Sequence, residues 1–194
     1  LNNLVIVGSN VIKPIIINGR SLKSINQFYN KKKSYYQSKL GNKKSSKRIN
    51  KLTSKRNRKI EDYLHKSSRY IINHLVSNDI RVLVIGNNKE WKQEINIGSK
   101  NNQNFVSIPH YKFIMMLKYK CQLEGITVII NEESYTSKCS FLDGEYVGKH
   151  DNYCGKRIKR GLFKSSEGIL INADLNGSLN ILVKVVPEIN FKGI

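Results

Sequence analysis

Acidic side chains are scarce in this 194-residue chain: 14 Asp and Glu face 34 Lys and Arg, a formal net charge of +20. The isoelectric point near 9.9 implies a polyanionic partner, with nucleic acid the leading candidate. No long apolar run and no signal-like start are present, which makes an anionic membrane surface the weaker candidate. Cysteine is sparse as well. Cys121, Cys139 and Cys154 are odd in number and unrelated in spacing, which argues against a disulfide framework and for a reducing cytosol. His65, His74 and His110 read as helix-surface or interface residues, because no Ser or Cys is placed with them to make a nucleophilic site. The abundance of Lys, Asn and Ile reflects an AT-rich coding genome more than any chemistry. The length fits one domain and suffices to bury a core.

What is present alternates between helical and strand-like patterns. Residues 4–7 and 15–17 are short β-branched runs separated by Gly8, Ser9, Asn10 and Pro14, the pattern of a hairpin, and Asn18-Gly19 is a turn signal. Residues 30–59 hold thirteen Lys and Arg and no acid, with Tyr35 and Tyr36 embedded. So dense a run of one sign repels itself unless a polyanion neutralises it, so it reads as a phosphate-contacting arm rather than a solvated face. The candidate contacts are Lys31, Lys32, Lys33, Lys43, Lys44, Lys47, Arg48, Lys55, Arg56 and Arg58, and each phosphate contact steepens the salt dependence of binding by roughly one unit. Ile49, Leu52, Ile60, Leu64, Ile71 and Leu75 predict a long helix over 46–77 whose stripe Arg56 interrupts. Residues 81–86 predict an apolar strand covered on both faces. A polar, irregular stretch over 87–106 contains the only tryptophan, Trp91. Pro109 opens a helix that Gly125 stops, and residues 127–130 form the next strand. An initial hairpin followed by alternating helices and strands predicts an α/β sandwich with a mixed sheet.

Two acidic islands interrupt the positive charge. Asp174 lies in Asn172-Ala173-Asp174-Leu175-Asn176-Gly177-Ser178-Leu179-Asn180-Ile181, at the head of a short amphipathic helix. Such a carboxylate is either a cap for orphan amides or a metal ligand. Glu132 and Glu133 follow directly on the strand over 127–130. Adjacent residues on extended backbone point opposite ways, so only one of the two would reach a shared ion. Carboxylates at strand ends and helix starts, inside a polycation, are what a metal-dependent nuclease needs.

Several runs resemble one family in the expected order over nearly the whole chain. They are Asn18-Gly19-Arg20-Ser21-Leu22-Lys23 with Asn26-Gln27-Phe28-Tyr29-Asn30, and Ile85-Gly86-Asn87-Asn88-Lys89-Glu90-Trp91-Lys92-Gln93. To these add Asn102-Gln103-Asn104-Phe105 with Ile108-Pro109, Glu133-Ser134-Tyr135-Thr136-Ser137-Lys138, Ser140-Phe141-Leu142-Asp143, and residues 172–181. The chain resembles the C-terminal nuclease part of TnpB (OrfB), the transposon-associated, RNA-guided protein family ancestral to type V CRISPR effectors. The resemblance implies an RNase H-like (RuvC-like) mixed sheet flanked by helices, two Mg²⁺ ions, and cleavage of DNA directed by a guide RNA. DNA and guide RNA would then be the partners, in the cytoplasm or nucleoid of a prokaryotic host, with base pairing supplying specificity while the protein grips backbone.

By the same resemblance Asp174 matches the family's last catalytic Asp. The central Glu of most relatives belongs after a strand such as residues 82–85, where this chain has Gly86. In a subset a glutamate before the Tyr-Thr-Ser run replaces it, here Glu133 with Glu132 beside it. The first catalytic Asp sits on an opening strand that precedes the segment matched by Leu1-Asn2-Asn3-Leu4. The expectation is therefore a partial RuvC-like domain over 1–194 that lacks its first strand, is poorly stable alone and does not cleave by itself. Many relatives insert a four-cysteine zinc ribbon before the last Asp. Here Cys139 has no partner three positions on and Cys154 stands alone, so no zinc is expected. Residues 138–168 instead read as a basic helical or loop insertion, with Lys156, Arg157 and Arg160 as further nucleic-acid contacts. The alternative is a non-catalytic nucleic-acid-binding relic of a decayed transposon.

Overall fold

The computed structural model describes residues 3–41, 43, 45–87 and 108–191. The stretch around Trp91, and Lys44, lie outside the described residues. β1 (Asn3–Val7) and β2 (Ile15–Asn18) pair antiparallel as the alternation predicts, with Val5 opposite Ile17 and Val7 opposite Ile15. Ile15 and Ile17 face the core, while Ile16 is exposed. The Asn18 side chain accepts from the Arg20 amide at 2.8 Å as the chain turns into α1 (Arg20–Gln37). A Cβ on Gly19 would stand 3.1 Å from the Leu4 amide nitrogen, so the helix starts pressed against β1.

The basic run is largely helical. Its first part is the C-terminal end of α1 and its second is the start of α2 (Lys47–Ser77). Ser46 caps α2, its hydroxyl accepting from the Ile49 amide at 3.3 Å. The predicted stripe is the buried face: Ile49, Ile60, Leu64, Ile71 and Leu75 are all core residues. Arg56 interrupts that stripe for a structural reason. Its Nε donates to Oδ1 of the buried Asn26 on α1 at 2.8 Å, and its guanidinium lies over the Tyr29 ring.

β3 (Val82–Gly86) and β4 (Thr127–Asn131) are parallel and in register, and α3 (His110–Leu123) connects them. Gly125 ends that connection in the left-handed region, at φ +68°. The buried Lys120 ties α3 to α2, its ammonium donating to the His65 carbonyl at 2.8 Å and to Ser68 Oγ at 2.7 Å. Within the expected basic insert the chain forms β5 (Lys156–Lys159) and β6 (Leu162–Lys164), and β7 (Leu170–Asn172), which follows the insert, completes an antiparallel sheet around the buried Phe163. Strands of three and four residues carry too little periodicity to be seen in sequence. α4 (Ala173–Val185) follows directly and packs on both β1 and β3.

The architecture is mixed α/β, but the expected mixed sheet is not continuous. Among the described residues β1 pairs with β2 and β3 with β4, although both pairs share one apolar core with α1, α2 and α3. Among those residues, one edge of β1 and one of β3 carry no ladder bonds. β3 is only partly covered: Leu83 is buried, while Val82 is exposed. Leu64, fully buried between the helices and the sheets, tests this core. Leu64→Ala is expected to lower unfolding free energy by about 2–5 kcal/mol, read from the urea midpoint.

Candidate functional site

α4 begins with Asn172, not Asp174, as its cap. The Asn172 Oδ1 accepts from the amides of Asp174 and Leu175 at 2.9 and 3.1 Å. The orphan donors of the first turn are thereby satisfied, and the Asp174 carboxylate is released from capping. It projects half-exposed. Its Oδ1 accepts from the Arg157 guanidinium at 3.2 Å and its Oδ2 from the Asn3 side-chain amide at 3.2 Å. Both oxygens are thus met by donors from other elements, one on the basic β5 and one at the start of β1.

Glu133 occupies a different place from its neighbour. A Cβ built on Gly86, at the end of β3, would fall 2.5 Å from Glu133 Oε1 and 2.7 Å from Ile181 Cδ1. A side chain at residue 86 would have to displace the ends of the Glu133 and Ile181 side chains, which the glycine leaves in place. Burial raises the Glu133 carboxyl above its ordinary value. Glu132 is exposed, and its backbone carbonyl accepts from Lys184 Nζ at 3.2 Å. Asp174 and Ile181 share a face of α4 two turns apart, about 10 Å along the axis. The helix that carries Asp174 therefore also reaches the Glu133–Gly86 contact.

Two residues the sequence reading did not single out hold this arrangement. Asn180 Nδ2 donates to the Thr136 and Cys139 carbonyls at 2.9 and 2.7 Å. Asn176 Nδ2 donates to the Cys139 carbonyl at 2.8 Å, and its Oδ1 accepts from the Phe141 amide at 2.9 Å. Both side chains are buried, so these bonds fix the segment after Glu133 against α4. Thr136 adds a bond from its hydroxyl to the Glu133 carbonyl at 2.8 Å, and Tyr135 adopts φ +65° to make the turn. The available signal was two asparagines four apart on an otherwise apolar helix face.

The basic residues fall on two surfaces. Lys31, Lys32, Lys43, Lys47, Arg48, Lys55 and Arg58 are exposed on the α1–α2 pair, Lys33 less so, and Tyr35 stands out among them. Arg48 stacks over Tyr36 at 4.7 Å, and Arg56 is drawn between the helices as described. Lys156, Arg157 and Arg160 are exposed on the β5–β6 hairpin, where Arg157 faces Asp174. Among the described residues no three His, Cys, Asp or Glu side chains gather around one point. Glu133 and Asp174 offer the hard oxygens that suit Mg²⁺, yet two carboxylates do not make a two-ion site. Among the described residues no helix is long and apolar enough to cross a membrane.

Two measurements follow. Between the ordinary Glu range and its raised folded value, Glu133 holds more proton in the folded than in the unfolded state, so it lowers stability as pH rises through that window. Glu133→Gln is therefore expected to raise the unfolding midpoint at pH 7, with the advantage vanishing below about pH 4. Asn180→Ala removes the side-chain donor of the Thr136 carbonyl and leaves the Cys139 carbonyl with Asn176 alone, and is expected to cost about 1–3 kcal/mol in chemical unfolding.

Residues 1–92 match the OrfB family of IS605, described as a probable transposase, and residues 110–181 match the Cas12f1-like TNB domain. A TnpB-like protein of Methanocaldococcus jannaschii is 30% identical over 132 residues, covering 66% of this chain and 47% of the relative. Cas12f1, solved by cryo-EM in complex with sgRNA and target DNA, superposes with a TM-score of 0.61 at 22% identity, covering 89% of this chain and 44% of that one. A CRISPR-Cas12f ternary complex gives a TM-score of 0.63 at 17% identity over 91% of this chain and 37% of that one. The chain thus spans about half the length, or less, of the relatives it matches. The two family-model matches, the TnpB-like relative and the Cas12f1 structures together support a TnpB-family protein.

Proposed function

We propose that the chain is part of an RNA-guided DNA endonuclease, a RuvC-like region of RNase H fold, in which Glu133 and Asp174 are two of the catalytic carboxylates. The observation that carries this reading is the packing of Glu133 on Gly86. A carboxylate expected at the end of β3 is supplied from the end of β4, and the space it needs is opened by a glycine. Asp174 supports the reading from the other side, because Asn172 has taken over its capping duty.

The divided sheet supports the same fold. Both pairs touch α4, and a strand added to the edges of β1 and β3 that carry no ladder bonds among the described residues would join them into a single mixed sheet. The family resemblance assigns the remaining carboxylate to such a strand, and two ions require it. Around the site, this chain's own residues do three things. The α1–α2 face and the β5–β6 hairpin bind backbone phosphates of guide RNA and DNA, Arg157 covers Asp174 until a better partner arrives, and the Asn176–Asn180 pair holds the Glu133 turn. The cytoplasm or nucleoid of a prokaryote is the compartment that suits this role.

One observation favours a second reading, a nucleic-acid-binding protein that does not cleave. Both Asp174 oxygens are occupied by Arg157 and Asn3, and no third metal-ligating side chain joins Glu133 and Asp174 among the described residues. Fusing an apolar strand ending in Asp-Leu-Gly ahead of Leu1 separates the two readings. The fused protein is expected to unfold more cooperatively and to nick DNA in a Mg²⁺-dependent manner, with Glu133→Gln or Asp174→Asn reducing cleavage to background and Glu132→Gln sparing it. A fused protein that folds and binds but never cleaves would leave the second reading standing. Arg157→Ala, which removes an exposed pair, is expected to change stability by less than about 1 kcal/mol while weakening nucleic-acid binding in a filter or anisotropy titration.

A further inference from the structure

We propose that the carboxylate of Glu145 replaces a structural metal in the insert, tying the loop that starts at Cys139 to the loop that ends at Cys154. Its Oε2 accepts from the Ser140 amide at 2.7 Å and its Oε1 from the Cys154 amide at 3.0 Å. Its own amide donates to the Ser140 carbonyl at 3.1 Å, so the residue is clamped from both ends. One side chain thus bridges two segments nine residues apart on one side and five on the other, with charge-assisted bonds to backbone N–H groups.

The residues present do not fit a zinc site. A ribbon takes two Cys-x-x-Cys pairs, tetrahedral about one ion. Three positions after Cys139 stands Leu142, which packs into the apolar cluster of Phe163, Ile171 and Leu179. Three positions before Cys154 stands the exposed Asp151. Cys139 is fully buried and its sulfur donates to the Gly148 carbonyl at 3.5 Å, as a neutral thiol does. Burial raises that thiol above its ordinary value, and the neighbouring Glu145 and Cys154 add to the rise against the Gly148 bond.

A second acid strengthens the same loop. The Asp143 carboxylate accepts from the Ser166 amide at 2.9 Å and from the Ser166 hydroxyl at 2.6 Å, linking the loop to the β6–β7 turn. The apolar cluster beneath and the two carboxylates above close the insert without a metal. What they position is β5, whose Lys156, Arg157 and Lys159 are all exposed. Glu145 is thereby a positioning residue for that basic hairpin, and this inference stands apart from whether the protein cleaves.

The test uses the full chain with metal analysis, thermal unfolding with and without EDTA or 1,10-phenanthroline, and amide hydrogen exchange across residues 139–156. The expectation is substoichiometric zinc, an unfolding midpoint unmoved by chelator, and a Cys154→Ser variant that exchanges like the parent. Glu145→Ala is expected to speed exchange in those peptides about tenfold or more, with Glu145→Gln intermediate because an amide keeps one acceptor oxygen. Should Glu145→Ala fail to fold, the graded response of Glu145→Gln decides. One zinc per chain released by chelator or by Cys154→Ser would overturn the proposal, as would exchange unchanged in both Glu145 variants.

Discussion

The side-chain amides of Asn176 and Asn180 accept and donate inside the protein where water does not reach, and the placement of the candidate site depends on them. They pair with the carbonyls of Thr136 and Cys139 and the amide of Phe141. Buried backbone groups without partners are costly, so this irregular segment is stable only while α4 supplies its bonds. The same helix carries Asp174 in its first turn and presses Ile181 onto Gly86 beside Glu133. One helix thereby sets the positions of both carboxylates and of the insert between them.

The sheet imposes the opposite kind of constraint. Among the described residues two strand pairs share a core without sharing a ladder, and α4 packs on a strand of each, β1 and β3. An edge without a partner seeks one. In this chain the helices carry most of the burial, with Leu22, Leu64, Ile71 and Ile72 fully enclosed. The fold can hold its shape around an interrupted sheet because α1, α2 and α3 close over both pairs.

Much of this was legible in the sequence. The hairpin, the long helix over 46–77, and the strands over 81–86 and 127–130 with the helix between them follow from apolar periodicity and punctuation by Gly and Pro. The charge of the α1–α2 region was legible but its shape was not, since a dense Lys run masks the helical spacing of Leu22, Ile25 and Asn26. Arg56 looked like a phosphate contact and a flaw in a stripe, whereas its guanidinium joins two helices through Asn26. The insert's strands were too short for pattern, and the roles of Glu145, Asn176 and Asn180 depend on which backbone groups lie beneath them. That is tertiary information. The choice between Glu132 and Glu133 was open for the same reason, since alternation says that one points inward without saying which.

The central claim is that this chain holds nucleic acid by its backbone, through cations on the α1–α2 face and the β5–β6 hairpin. The most direct measurement is the affinity for a guide-length RNA and for single-stranded DNA across a range of salt. The account predicts that log K falls linearly with log salt at about −0.7 for each phosphate contacted, and that replacing Lys47, Arg48, Lys55 and Arg58 together by Ala makes the line shallower by several contacts. An affinity indifferent to salt, or a slope unchanged by those four substitutions, would contradict it.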